Sequence, residues 1–270
     1  MFMIKIKTNQ EKDISPVVNL NKYPLSDRSF INSCRMKINR NGSVVLPDFL
    51  TESAVKDLID ESIKNQEHAY YCRQEHSVYI LPNDEDLPSD HPRNRLVVSS
   101  KGCITDDQIH YDSSLKLLYR SDIFKQFVAN VVGEKNLYEY EDKLSSVNIH
   151  YASEGQELGW HFDNSSFAVT LLIQQPESGG EFQYIRDFRD TDKEDMNYEG
   201  VDKLLKNQIS YDTLNMNSGT LVLFRGKNSI HRVTPVEGEK TRILAVLAYN
   251  SEPNISLSET SRMTFYGRLD

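Results

Sequence analysis

The second half of the chain is a succession of short apolar runs separated by turn residues, and this succession strongly constrains the fold. From about residue 144 onward, β-branched and aromatic residues dominate the runs, while Gly, Glu, Asn and Pro lie between them. Such runs are typical of strands. The runs are LSSVNIHY, SFAVTLLIQ, GEFQYI, GTLVLF, HRVTPV and TRILAVLAY. The pattern predicts an antiparallel barrel or jelly roll.

The first half of the chain has helical periodicity instead. Apolar residues recur at three- and four-residue steps over 51–68 and again over 113–132. Ser121 can cap the second half of the latter segment, so a break is predicted there. We therefore predict an α+β, mainly β fold: a double-stranded β-helix (jelly-roll, cupin-like) core with flanking helices from the N-terminal half.

One domain is predicted over residues 1–270. Residues 1–40 would wrap the surface, residues 41–143 would form a helical support, and residues 144–270 would form the jelly-roll core. A charged insertion at 186–218 interrupts the core, with a short helix predicted near 199–206. The insertion either covers the mouth of the barrel or forms a solvated loop.

Composition excludes several function classes. The net charge is −9 with a pI of about 5.3, and the basic residues form no stripe, so a nucleic-acid partner is not expected. No apolar stretch reaches membrane-spanning length, and no signal-peptide core is recognisable. Cys34, Cys72 and Cys103 show no Cys-x-x-C spacing and are interpreted as reduced structural thiols. We expect a cytoplasmic protein without a membrane partner; its oligomeric state stays open.

The stretch GWHFDNSS brings two metal-ligand types together. Side chains alternate along a strand, so His161 and Asp163 point to one side. A facial triad of two histidines and one carboxylate needs a third ligand, and His231, at the start of HRVTPV, is the candidate. Such a triad leaves open positions on non-haem Fe(II).

An arginine is predicted to point into the same cavity. If HRVTPV turns through EGEK into TRILAVLAY with an even-length turn, Arg242 shares a face with His231, whereas an odd-length turn reverses this. A guanidinium can bind a carboxylate through two parallel hydrogen bonds. A cosubstrate that chelates iron at one end and presents a carboxylate at the other, such as 2-oxoglutarate, would satisfy this arginine.

Asn148 and His150 share one face of the strand SVNIHY. Asn148 is a candidate for cofactor binding, or else faces solvent. His150 is either a hydrogen-bonded histidine of the barrel or surface, or an active-site residue. His76 and His110 stand in polar surroundings, as does His68, and all three are interpreted as surface residues.

The stretches GWHFDNSSFAVTLLIQQPESGGEFQY and GTLVLFRGKNSIHRVTPVEGEKTRILAVLAY, with the terminal TFYGR, resemble the Fe(II)/2-oxoglutarate-dependent oxygenases. More narrowly, they resemble the branch that contains free-amino-acid (lysine) halogenases and their hydroxylase relatives. The resemblance implies that His161, Asp163 and His231 bind Fe(II) and that Arg242 binds the distal carboxylate of 2-oxoglutarate. It implies a dioxygenase that uses O2 to hydroxylate an unactivated C–H bond, with release of succinate and CO2.

The resemblance also bears on the type of oxidation. Amino-acid halogenases of this branch have glycine at the position of Asp163, and the vacant coordination site receives chloride. The carboxylate of Asp163 would fill that site in this chain. The resemblance therefore implies a hydroxylase, not a halogenase.

The implied substrate is a small polar molecule, above all a free, lysine-like L-amino acid. Related enzymes use an early basic residue for the substrate carboxylate, and Arg93 and Arg95 are the candidates, unless they form surface ion pairs. Glu141, Asp142 and Asn164 could receive an ammonium group; otherwise the first two belong to a solvated turn.

Trp160, the only tryptophan, either packs against the barrel wall or lid or stacks on the substrate. Three other functions stay open. The chain could hydroxylate a peptide or protein, could be a non-catalytic metal-binding jelly-roll module, or could carry a hydrolytic zinc site. The last of these lacks a general base near the ligands and leaves Arg242 without a role.

Overall fold

The computed structural model describes residues 13–270, and an eleven-stranded antiparallel sheet dominates it. The strands are β1 (Ser43–Leu46), β2 (Tyr70–Ser77), β3 (Leu96–Ile104), β4 (Val147–Ala152), β5 (Leu158–His161), β6 (Ala168–Gln174), β7 (Ser178–Gly179), β8 (Phe182–Ile185), β9 (Asp212–Leu214), β10 (Thr220–Phe224), β11 (Ile230–Val233), β12 (Val236–Glu237) and β13 (Arg242–Leu247). The helices are α1 (Arg28–Asn41), α2 (Glu52–Asn65), α3 (Ser114–Arg120), α4 (Asp122–Val132), α5 (Tyr198–Leu205) and α6 (Glu259–Tyr266).

The sheet rolls up into a nearly closed jelly roll. Its strands follow the order β1, β10, β6, β13, β4, β3, β5, β11, β8, β9, and β2 pairs with β3 as a branch. Strands β7 and β12 form a separate two-stranded ladder. The predicted fold class, a mainly β jelly roll with flanking helices, is confirmed.

Helices α1 to α4 pack against one side of the roll because each has a continuous apolar face. Phe124, Phe127 and Val128 of α4 are buried with Leu58 of α2 in the main core, which also receives apolar residues of β4, β6, β10 and β13. The break predicted within 113–132 is confirmed: the Ser121 side chain accepts a hydrogen bond from the Phe124 amide and begins α4.

The segment 41–143, predicted as a helical support, contains three strands as well. The hairpin of β2 and β3 and the short β1 all join the large sheet. The first twelve residues of the predicted wrapping segment 1–40 lie outside the described residues, and the rest includes helix α1. No helix within residues 13–270 is long and apolar enough to cross a membrane.

The predicted hairpin between HRVTPV and TRILAVLAY is wrong. Strand β11 pairs with β5 and β8, whereas β13 pairs with β4 and β6. Between them, Val236 and Glu237 pair with β7, and this carries the chain across the roll. The two strands therefore belong to different parts of the roll.

The insertion at 186–218 packs on the outside of the roll. Val201 and Leu204 of α5 are buried against Trp160, Phe162 and other apolar residues in a second core. Met216 is the one residue of this insertion that reaches the large cavity of the roll. The segment is thus an integral part of the fold and supports the wall that carries the candidate metal ligands.

Candidate functional site

Two histidines meet across neighbouring strands at the open end of the roll. His161 ends β5 and His231 lies in β11, and they are directly paired residues of this antiparallel ladder. Their ring centroids lie 4.2 Å apart. Directly paired residues project from the same face of a sheet, so both rings point into the cavity.

A carboxylate completes the group two residues beyond β5. Asp163 Oδ1 lies 3.8 Å from His161 Nε2 and 3.5 Å from His231 Nε2. One ligand atom of each residue lies within 4.8 Å of the others, a spacing suited to a single metal ion. The set fits a two-histidine, one-carboxylate iron site.

Backbone carbonyls orient both imidazole rings. His161 Nδ1 lies 2.8 Å from the Gly159 oxygen, and His231 Nδ1 lies 3.0 Å from the Ser229 oxygen. A proton on each Nδ1 leaves both Nε2 lone pairs free for a metal, which is the usual role of such outer contacts.

The loop that carries Asp163 is also fixed from behind. The Asp163 amide donates to the Gly226 carbonyl at 3.1 Å, and the Arg189 guanidinium reaches the Asp163 carbonyl at 3.5 Å. Arg189 is buried, stacks 4.1 Å over the Phe162 ring, and donates from Nε to the Lys227 carbonyl. Arg189 was not among the predicted site residues, because the charged sequence of the insertion that contains it does not indicate burial.

The electrostatics of the three ligands suit a cation. Burial, and then the neighbouring His231, lower the pKa of His161 to about 3, so its imidazole is neutral. Burial opposes protonation of His231, but the adjacent Asp163 carboxylate outweighs it and raises the pKa. The same attraction lowers the pKa of Asp163 against the effect of burial. A divalent ion would take the place of the shared proton.

The triad borders a cavity of about 560 Å³ inside the roll. Arg242 lines this cavity although the predicted hairpin does not form, because β13 contributes to the wall on another side. Its side chain is 5% exposed and forms neither a hydrogen bond nor an ion pair with any residue of 13–270. Burial lowers its pKa to about 10, which leaves the guanidinium charged at neutral pH.

The cavity is also lined by His76, His150 and Lys101. His76 was predicted as a surface residue, His150 was left with two alternatives, and Lys101 was given no role. His76 is not a surface residue as predicted; its Nε2 lies 2.7 Å from Ser99 Oγ. Lys101 Nζ lies 3.2 Å from either ring nitrogen of His150. Residues 96–104 read LVVSSKGCI, and a strand prediction from their β-branched and apolar ends could have found Lys101.

Asn148 is buried and does not line the cavity. Its amide nitrogen donates to the Leu144 and Val147 carbonyls, and its oxygen accepts from the Tyr266 hydroxyl. These hydrogen bonds attach β4 to the C-terminal helix.

The candidate substrate residues are dispersed. Arg93 bonds the Pro82 carbonyl and pairs with Asp84, whereas Arg95 pairs with Asp202 of α5 at 2.8 Å. Neither arginine lines the cavity.

The other candidates for substrate binding are two acidic residues, one asparagine and the tryptophan. Asp142 accepts hydrogen bonds from the Leu144, Ser145 and Leu257 amides, and Glu141 is exposed; neither lines the cavity. Asn164 does line its rim. Trp160 packs in the second core with the Arg232 guanidinium 4.8 Å from its ring, which agrees with a structural role.

Comparison with models of protein families shows which family this chain belongs to. The model described as Halogenase D matches residues 25–266. The chain belongs to this family. Curated proteins searched by sequence give no match. The Halogenase D match fits the branch indicated by the sequence motifs, without separating halogenases from hydroxylases.

Solved structures agree on the fold. The epimerase SnoN from nogalamycin biosynthesis is similar with a TM-score of 0.57 and 11% identity, over 83% of this chain and 81% of that one. An oxidoreductase of the 2OG-Fe(II) oxygenase family from Burkholderia pseudomallei gives 0.53 and 13%, over 85% and 95%. A Pseudomonas putida prolyl-4-hydroxylase gives 0.50 and 13%, over 80% and 96%. At these identities the likeness establishes the jelly-roll fold that these oxygenases share.

Proposed function

We propose that this Halogenase D family member is an Fe(II)- and 2-oxoglutarate-dependent dioxygenase that hydroxylates a C–H bond of a small polar substrate, foremost a free L-amino acid. One observation carries the proposal: the His161, Asp163 and His231 cluster and the unpaired guanidinium of Arg242 face one cavity. A metal site alone would not require a buried cation without a partner. A cosubstrate with a distal carboxylate requires both.

The ligand residues and Arg242 have distinct roles in this proposal. The two imidazoles and the carboxylate of Asp163 would hold Fe(II), with the rings fixed by the Gly159 and Ser229 carbonyls. Arg242 would bind the distal carboxylate of 2-oxoglutarate by charge-assisted hydrogen bonds. Bound iron, together with 2-oxoglutarate and O2, supplies the oxidant and yields succinate and CO2.

Apolar side chains near the site would keep water away from the reacting carbon. Phe182 stacks on the His231 ring at 5.4 Å, and Phe224 contacts the same ring edge to face at 4.9 Å. Val233 and Leu244 also line the cavity. Apolar side chains beside convergent polar groups are typical of a site that orients a small ligand.

Asp163 supports hydroxylation over halogenation. Its carboxylate occupies the third ligand position, which a halogenase would leave to chloride. The backbone of Gly226 lies against this carboxylate, so the loop is shaped around an aspartate. We therefore infer that this chain is a hydroxylase, although the family model that it matches is described as Halogenase D.

The cavity favours a small molecule over a peptide. Two cations, Lys101 and Arg242, point inward, and helix α6 contributes Thr264 and Phe265 to the wall. A peptide site would present an open groove with few inward charges. The lysine-like part of the substrate prediction gains no support, because Asp163 is the only carboxylate among the described residues that line the cavity.

The test is a product analysis. Protein loaded anaerobically with Fe(II) is given 2-oxoglutarate, oxygen and sodium chloride with each free L-amino acid, and succinate and product masses are measured. We expect succinate to rise with one acid, which gains the mass of one oxygen. A chlorinated product would replace the hydroxylase assignment, and the absence of both succinate formation and 2-oxoglutarate binding would refute the oxygenase assignment.

A further inference from the structure

Among residues 13–270, Lys101 is a second inward cation that forms no ion pair with a carboxylate. It lies in β3, lines the cavity and is half-buried. Its Nζ contacts the His150 ring nitrogens at 3.2 Å and lies 5.5 Å from the centre of the Phe265 ring. No residue of 13–270 forms an ion pair with it. Burial lowers the pKa of Lys101, while Asp163, which is not in ion-pair contact, is among the groups that act against this lowering.

His150 stays neutral beside it. Burial, together with the charges of Lys101 and Arg242, holds the pKa of His150 well below its usual range. A neutral imidazole can accept one hydrogen bond from the ammonium but cannot neutralise it. An ammonium has three donors, so Lys101 retains hydrogen-bonding capacity toward the cavity.

The strand register places Lys101 and Arg242 on either side of a small residue. Arg242 is paired with Ala152 of β4, and the ladder between β3 and β4, which pairs Gly102 with Tyr151, brings Lys101 level with the same alanine. Neighbouring strands lie about 4.8 Å apart, so the two backbones are about 10 Å apart. At this level the strand between the two cations carries only the methyl group of Ala152.

The charges of the site leave a place for one more anion. With Fe(II) bound, the positive charges of the ion, Lys101 and Arg242 would outnumber the negative charge of Asp163 by about three. The two carboxylates of 2-oxoglutarate would reduce this excess to about one. A charge in a cavity is costly unless it is paired, so a ligand without a carboxylate would leave Lys101 unpaired.

We propose that Lys101, supported by His150, binds a carboxylate of the substrate, and that the substrate is therefore a free acid without a cationic side chain. This inference rests on the proposed function. Among the described residues that line the cavity, Asp163 is the only carboxylate, so a side-chain ammonium would have no partner besides this metal ligand, whereas the α-ammonium of an amino acid is balanced by the carboxylate of the same molecule. Lys101 thus excludes amide-linked residues of a peptide and disfavours lysine itself.

The experiment is an anaerobic binding measurement, which needs no turnover. Wild-type protein loaded with Fe(II) and 2-oxoglutarate is titrated calorimetrically with free L-amino acids, simple dicarboxylic and hydroxy acids, and the carboxamide of each acid. We expect at least one acid without a cationic side chain to bind, and its carboxamide to bind at least about 30-fold more weakly, as for loss of a buried charge pair.

Three variants locate the effect. Lys101→Met keeps the length of the side chain and should weaken binding of the acid at least about 30-fold, so that acid and amide bind alike. Lys101→Arg keeps the charge and should restore part of the affinity. The matched control is Lys240→Met, at an exposed lysine of the turn before β13, which should bind the acid like the wild type.

Each other outcome overturns the inference. Equal binding of an acid and its amide by the wild type would remove the carboxylate contact, and absence of binding by every acid would remove the substrate class. If Lys101→Met weakens 2-oxoglutarate binding and leaves the acid unaffected, Lys101 serves the cosubstrate instead. In all three cases 2-oxoglutarate still binds the wild type, so the assignment as an Fe(II)- and 2-oxoglutarate-dependent oxygenase stands; absence of that binding would refute this assignment itself.

Discussion

The backbone of Gly226 lies directly against the side chain of Asp163, so that a methyl group at position 226 would overlap the carboxylate. The Asp163 amide also donates to the Gly226 carbonyl. Gly226 follows strand β10, far along the chain from the ligand loop. The position of the carboxylate is thus set by a residue that binds no metal.

Gly226→Ala should therefore displace Asp163. We expect the variant to bind Fe(II) at least about tenfold more weakly and to lose about 1–3 kcal/mol of unfolding free energy, as for an overpacked site. Equilibrium dialysis with Fe(II) and chemical denaturation measure both quantities. The control is the same substitution in an Asp163→Gly background, where the obstructing carboxylate is absent and the stability cost should vanish. An equal cost in both backgrounds would contradict the steric explanation.

Removal of any one triad ligand should abolish iron-dependent turnover without unfolding the protein. His161, Asp163 and His231 lie at the open end of the roll, outside the main core. We expect each alanine variant to lose succinate formation, and the two histidine variants to lose Fe(II) binding as well, while all three retain the circular dichroism of the wild type. His110→Ala, a histidine outside the cavity lining, serves as the control. Full activity of His231→Ala would refute the triad.

Arg242→Met should raise the concentration of 2-oxoglutarate needed for half-maximal succinate formation by at least about 30-fold, because a buried charge pair would be lost. Arg232→Met is the matched control, since Arg232 contacts Trp160 on the outside of the roll. An unchanged requirement in Arg242→Met would place the carboxylate contact elsewhere. We expect Fe(II) binding to be unaffected in both variants, since neither arginine is a ligand.

Acidification should destabilise the metal-free protein. The pKa of His161 is lowered to about 3 from an ordinary value of 6.5, and that of His150 is also lowered, so the unfolded chain binds protons that the folded chain does not. Stability is then lost as the pH falls below about 6.5, by up to about 1.4 kcal/mol per pH unit for each histidine. His231, with a raised pKa, is protonated in both states below this pH and adds no loss there.

Chemical denaturation at pH 7 and at pH 5.5 measures this loss. His150→Gln should flatten the dependence, because one of the two neutral histidines is removed, whereas His110→Gln should leave it unchanged. A metal-free protein that is equally stable at both pH values would show that the two histidines are protonated in the folded state.

Sequence patterns predicted much of the jelly roll because its strands are short apolar runs between turn residues, as burial of a sheet face requires. His161 and Asp163 could be placed together because both lie in one short stretch. The pairing of β11 with β5 could not be predicted, because strand order depends on contacts between distant segments. For the same reason, Arg242 was placed in the cavity through a hairpin that does not form, although the cavity does contain it.

Other residues were missed because their surroundings come from distant parts of the chain. Lys101 lies in a strand that was not predicted, and its neighbours His150 and Phe265 come from β4 and α6. Arg189 lies in a charged insertion that gave no sign of burial. Conversely, Arg93 and Arg95 looked suited to a ligand but are held by the acidic residues Asp84 and Asp202.

The direct pairing of His161 with His231 also has a consequence for folding. Residues 162–230, which include β6, β8, β10 and helix α5, lie between the two histidines and must close into a loop before the pair can form. High-affinity iron binding should therefore arise late in folding, only after this long-range closure. Metal binding would therefore indicate that the roll has closed. Because the bound ion would contact both histidines, it would also slow the separation of the two strands.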